Sequence, residues 1–255
     1  MDKGGFVKLI ETMPAQDLDQ AIVNAARVSY AEGTKTVRSN DGLIRYLMRH
    51  HHNTPFEMVE FKFHIKMPIF IARQHMRHRT ASINEMSARY SVVPHDYYFS
   101  EDSFRPQSTI NRQSSIEDQH VIVDPNKVKN ICESAFQVYD ELLDGGCCRE
   151  MARAHLPQSA FTEFYWKINL HNLMHYLQLR MEAGAQKEIR EYAFAIYELI
   201  KDIVPITMDA FYDFRLNSMQ LSASEINCIV TKSNNLKGGE KREFEEKLKI
   251  LGITI

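Results

Sequence analysis

Apolar side chains recur at helical spacing twice near the start of the chain, first at Leu18, Ile22, Ala25 and Ala26, then at Leu43, Tyr46 and Leu47 within NDGLIRYLMRHHH. Each set falls on one face of a 3.6-residue period, so two helices are expected before residue 53. VEFKFHIKM changes the rhythm. Phe61, Phe63, Ile65 and Met67 alternate with Lys62, His64 and Lys66, the period of a strand with one face buried. Pro68 closes that strand and suits the first turn of a helix, PIFIARQHMRHR. On such a helix Arg73 and Arg77 share a face, while Ile69 and Ala72 pack inward.

The segment HDYYFSEDSFRPQSTINRQSSIEDQHVIVDPN is polar and keeps no period, which predicts an excursion or lid. Asp124-Pro125 opens a helix with Val128, Ile131, Ala135, Tyr139 and Leu142 on its apolar side, stopped by Gly145-Gly146. FTEFYWKIN, rich in aromatic and β-branched residues, reads as a second strand. Asn169 is placed to cap the following helix, LHNLMHYLQLRM, and KEIREYAFAIYELIKDIV forms another that ends before Pro205. A Gly-Gly step then precedes a charged, amphipathic helix in KSNNLKGGEKREFEEKLKIL. One main domain with a short C-terminal helical appendage accounts for the pattern.

The chain has 255 residues, 44% of them apolar and 25% charged, enough for a sizeable core. No apolar run reaches the roughly 20 residues of a membrane span, and the N-terminal stretch lacks the apolar core of a secretory signal, so a cytoplasmic protein is expected. The four cysteines contain no C-x-x-C, and adjacent Cys147 and Cys148 are poorly placed to bridge each other, which argues against a disulfide framework.

Against a formal net charge of -2, the stretch RQHMRHRTASINEMSARYS gathers Arg73, His75, Arg77, His78, Arg79 and Arg89 around one acid, Glu85. Solvated helix faces usually mix lysine with glutamate, and this stretch has no lysine. Arginine suits a bidentate grip on phosphate, because its planar fork stays charged and presents fixed donors. The ten glycines supply neither G-x-G-x-x-G nor G-x-x-x-x-G-K-[ST], so side chains must hold any nucleotide phosphate. A nucleic acid is the rival anion; a near-neutral chain with a compact cluster fits it less well, and an arginine-rich nucleic-acid-binding protein stands as the alternative. His50, His51 and His52 invite a metal, yet consecutive residues cannot all face one centre and no ligand pattern completes the set.

Arg77-His78-Arg79, seven further residues, then Ser87 resembles the R-H-R-x7-S signature of the flavin-dependent thymidylate synthases. AARVSY, HNTPFEM, MPIFIARQ, ARYS, REMAR and LRMEAGAQKEIREYA are similar to segments of that family in the right order, over about residues 5 to 215. The resemblance implies an α+β fold, an antiparallel sheet packed with long helices, with the synthase domain at 1–215 and an extension at 216–255. It also implies a homotetramer with active sites shared between subunits. The implied reaction is the methylation of dUMP to dTMP, with methylenetetrahydrofolate as one-carbon donor and NADPH as reductant of FAD. The clustered cations then address the nucleotide phosphate and the FAD diphosphate.

Carried over by position, Arg77, His78, Arg79 and Glu85, with Ser29 and Thr54, resemble the FAD-contacting set, joined by Asn169, His171 and His175. Gln74, Arg77, Glu85, Ser87, Ala88 and Arg89, with Arg153 and Arg180, resemble the nucleotide-contacting set. His52 and Glu57 fall near the same flavin. Arg180 resembles the residue that stabilises charge developing on the uracil ring, a task for a fixed cation. Ser87 has only Glu85 beside it as a base, which favours a binding role over a nucleophilic one. Many family members carry arginine where this chain has His171, and histidine where it has Gly184.

Overall fold

The structure, a computed structural model, describes residues 4–29, 39–109 and 113–255. Its centre is a four-stranded sheet of β1 (Phe6–Met13), β2 (Glu60–Pro68), β3 (Ser82–Glu85) and β4 (Phe161–Asn169) in the order β1-β2-β4-β3, every pair antiparallel. The alternation in β2 decides which face is covered. Phe61, Phe63, Ile65 and Met67 are fully buried, and β4 adds Phe164, Trp166 and Ile168 to the same layer. Phe63 and Trp166 are register partners with ring centroids 6.0 Å apart. The opposite face carries Lys62, His64 and Lys66, with the His64 ring 4.9 Å from Phe6 and 5.0 Å from Tyr165.

The helices are α1 (Leu18–Arg27), α2 (Asn40–Arg49), α3 (Thr54–Glu57), α4 (Ile69–His75), α5 (Pro125–Asp144), α6 (Arg149–Ala152), α7 (Leu170–Arg180), α8 (Lys187–Ile200), α9 (Pro205–Phe211), α10 (Ala223–Thr231) and α11 (Gly238–Leu251). Local chemistry sets several ends. Asp124 caps α5 through the Asn126 N–H, with Pro125 in the first turn, and Asn169 accepts from the Asn172 N–H to start α7. At α8 and β1 packing is close enough that a Cβ on Gly5 would collide with the Tyr192 hydroxyl.

Two strands lacked a sequence signal. β1 carries a register shift between Leu9 and Glu11 that breaks its alternation. β3 is four exposed residues, Ser-Ile-Asn-Glu, ordered by pairing with β4. The helix expected to run through residue 79 stops at His75, so Arg77 does not share a helical face with Arg73. The Arg77 and His78 N–H groups bond back only three residues, to Gln74 and His75, and this tight turn sends the chain into β3. Pro68 ends β2 and serves as the cap of α4.

Compact packing divides the chain into Met1–Asp209 and Ala210–Ile255. The second unit has its own apolar cluster of Cys228, Phe244 and Leu248, and Ser222 with Glu225 forms a capping box on α10. Within the first unit, the polar excursion is tied by a Tyr97–Ala160 bridge and folds on itself at Gln107–Ser115.

Candidate active site

The turn after α4 places His78 against the last turns of α7. Arg180 donates through Nε to His78 Nε2 at 2.9 Å and through Nη2 to the Gln74 carbonyl at 3.2 Å. The His78 ring lies 4.9 Å from Tyr176 and 6.2 Å from His175. Burial, then the charges of Arg180 and His175, lower the His78 pKa to about 4. His78 is therefore neutral at pH 7 and accepts through Nε2. Beneath it His75 is fully buried, bonded through Nδ1 to the Tyr176 hydroxyl at 3.1 Å, and burial with the neighbouring His78 and Arg180 lowers its pKa to about 3. Burial pushes the Tyr176 hydroxyl above its ordinary range, so it stays protonated.

Arg77 and Arg79 flank His78 with exposed side chains. At the far end of β3, Glu85 accepts from the Thr162 hydroxyl at 2.6 Å. Glu85, Ala88 and Arg153 line one pocket of about 220 Å³ with Phe161 and Thr162. Partly buried Ala88 packs on the cluster of Val93, Phe136, Tyr139, Ala152 and Ala160. Ser87 Oγ accepts from the Arg89 N–H at 3.3 Å, and Arg89 pairs with Glu150 at 2.9 Å beside a groove of about 520 Å³.

Ser29 and Thr54 lie apart from these, on a mostly apolar pocket of about 800 Å³ that also includes His52, Tyr46 and Leu47. Asn169 uses its side-chain Oδ1 as a helix cap, one residue before α7 begins; partly buried His171 lies in the first turn of that helix and exposed His175 one turn further along. Gln74, His78, His175 and Arg180 thus form one group, Glu85, Ala88 and Arg153 a second, and Ser29 with Thr54 a third. Glu57 is exposed on α3 beside the third.

Sequence reasoning missed the residues that hold the first two groups in place. Thr162 is an inward position of β4, and Tyr176 adjoins His175, but neither has a motif of its own. Gln186 accepts from Gln74 Nε2 at 2.5 Å and donates to Glu188 at 2.8 Å. Gln186 and Glu188 stand in the LRMEAGAQKEIREYA segment, where only their place after Arg180 pointed to the site. Among the described residues no group of three or more His, Cys, Asp and Glu side chains is arranged to hold a metal, and His50 and His52 instead pack on Tyr46. Among the same residues no helix is long and apolar enough to cross a membrane.

The family model described as "Thymidylate synthase complementing protein" matches residues 8–206. The flavin-dependent thymidylate synthase of Dictyostelium discoideum is 49% identical over 261 residues, covering 97% of this chain and 85% of that protein. That of Thermus thermophilus is 50% identical over 232 residues, covering 90% and 83%. Among solved structures, a UMP/dUMP methylase PolB from Streptomyces cacaoi bound with 5-Br dUMP superposes with a TM-score of 0.71 at 33% identity, over 85% of this chain and 98% of that one. From these matches, which span both strands and helices of the site, the chain belongs to the flavin-dependent thymidylate synthase family.

Proposed function

We propose that this protein methylates dUMP to dTMP, with methylenetetrahydrofolate as one-carbon donor and NADPH reducing bound FAD, in the cytoplasm as a homotetramer whose synthase domain spans residues 1–215. The observation that carries the reading is the Arg180–His78–Gln74 arrangement, a guanidinium locked along its Nε/Nη2 edge with Nη1 remaining to face a ligand. Family membership supplies the reaction.

The residues suit FAD. An apolar pocket with Ser29 and Thr54 on its wall fits a flat, partly apolar ring system, and exposed Arg77 and Arg79 offer bidentate donors to a diphosphate. His78, Glu85, Asn169, His171 and His175 complete the proposed holding set. Bound flavin supplies the hydride and carrier chemistry.

The chain's own groups bind and polarise the nucleotide. Arg180 fixes positive charge where the uracil carbonyls become electron-rich, and its two hydrogen bonds mean that little reorganisation is needed as charge develops. Ser87, the backbone at Ala88, Arg89 and Arg153 are assigned to the phosphate, with Gln74, Arg77 and Glu85 completing the nucleotide site. Neutral His78 adds no competing charge beside Arg180.

The test is direct: purified protein with dUMP, methylenetetrahydrofolate and NADPH, with and without FAD, assayed for dTMP by mass spectrometry. Product that requires FAD and NADPH is expected. No product from folded, FAD-loaded protein would overturn the reading.

A further inference from the structure

The polar excursion reaches the nucleotide group through one buried arginine. Arg105 donates to Glu188 at 2.7 Å, to Ser115 Oγ at 2.9 Å and to the Asp102 carbonyl at 3.2 Å, and the side chains of Arg105 and Glu188 are each only 7% exposed. Tyr98 donates to the same Glu188 oxygen. The described part of the excursion is therefore fastened to α8 at Glu188, by Arg105 and Tyr98, and again by the ion pair of Glu117 with Arg190. Burial raises the Glu188 pKa, but the Arg105 and Gln186 hydrogen bonds and its own N–H more than offset this and hold it below the usual carboxylate range.

A carboxylate only accepts, whereas a carboxamide accepts at one end and donates at the other. Glu188 Oε2 takes the Gln186 amide N–H, which turns Gln186 Oε1 toward Gln74, and that oxygen takes the Gln74 amide N–H. Each orientation in the series follows from the one before it.

Building on the nucleotide-binding reading of Gln74, we propose that Arg105 is a positioning residue for the nucleotide site: it pairs Glu188, and Glu188 acts through Gln186 to fix which end of the Gln74 carboxamide is left to a ligand. The excursion and the substrate site are thereby coupled, and the coupling is reciprocal, so that bound dUMP stabilises the closed excursion.

The test measures dUMP affinity of FAD-loaded protein, by the change in flavin absorbance, in wild type, Arg105→Met, Gln186→Met, Gln74→Ala and the two double variants with Gln74→Ala. Arg105→Met strands a buried carboxylate and is expected to melt earlier; Gln186→Met leaves the Arg105–Glu188 pair intact and keeps the fold in hand. Each is expected to weaken dUMP about tenfold. In the Gln74→Ala background neither is expected to weaken it further, while the lower melting temperature of Arg105→Met persists. A merely structural arginine would give an affinity loss that survives removal of Gln74. That result, or unchanged affinity in both single variants, overturns the relay alone. Wild-type protein that binds FAD but no dUMP overturns the reading of the site and the relay with it.

Discussion

Arg180 Nε and His78 Nε2 are 2.9 Å apart, with the arginine donating, and the bond requires the middle residue of R-H-R to be an unprotonated acceptor. The signature histidine thus orients the cation it touches. Arg180→Ala is expected to weaken dUMP by roughly a hundredfold, about 3 kcal/mol, measured by calorimetric titration of FAD-loaded protein. Arg180→Lys is expected to restore little, since a single ammonium cannot reach His78 and the Gln74 carbonyl along one planar edge. Affinity equal to wild type in Arg180→Ala would remove this residue from the site.

Acid should destabilise the protein through His75. Its pKa is about 3 in the fold against 6.5 when exposed, so between those values the unfolded chain binds the extra proton. Stability is then independent of this group above pH 6.5 and falls as pH drops through the window, by about 1.4 kcal/mol per unit. Half-exposed His78 adds a smaller loss between 6.5 and about 4. Urea midpoints at pH 5 and 7 test this: His75→Gln should flatten the dependence by about 2 kcal/mol between those two pH values. An unchanged slope would assign it to other groups.

Ser87 accepts a backbone N–H from Arg89, an arrangement suited to closing a loop around a phosphate. Ser87→Ala should raise the KM for dUMP about tenfold and leave kcat within about threefold, because a binding contact is lost and no bond-forming step. Loss of turnover by a factor of about 10⁴ would make the serine a nucleophile after all.

Thr162 is nearly fully buried and its hydroxyl holds Glu85 at 2.6 Å. Thr162→Val keeps the shape and removes the donor. The melting temperature should shift little, while FAD and dUMP both bind about tenfold more weakly as Glu85 loses its fixed rotamer. Equal affinities in the two proteins would show that Glu85 is placed by its backbone alone.

Where the chain obeys one period, sequence and structure agree on the element: the strict alternation of Phe61 to Met67 became β2, and the spacing of Val128 to Leu142 became α5, although that helix buries Cys132, Phe136 and Tyr139 and leaves Ile131 exposed. The failures come from order imposed at a distance. Nothing in Ser82–Glu85 marks a strand, because β4 supplies the partner groups and the four side chains stay exposed. In the same way the R-H-R motif pointed to Arg77, His78 and Arg79, whereas Arg105, Thr162 and Gln186 emerged only when the fold joined them to Glu188, Glu85 and Gln74. Their work is to bond other protein groups, which leaves no local pattern to read. Residues 110–112 of the polar segment and Tyr30 in AARVSY lie outside the described residues.

The edge strand β3 has one more implication. Its backbone is fixed by the ladder to Lys167, Trp166, Tyr165 and Phe164, while its side chains contribute nothing to the apolar interior. Ser82, Ile83 and Asn84, held there by main chain, can exchange their side chains at almost no cost in stability, within about 0.5 kcal/mol each, whereas Glu85 also takes the Thr162 hydroxyl. The stretch from Ser82 to Asn84 is thus a place where ligand preference can be rewritten by substitution while the scaffold stays as it is, and an engineer seeking altered nucleotide selectivity would begin there.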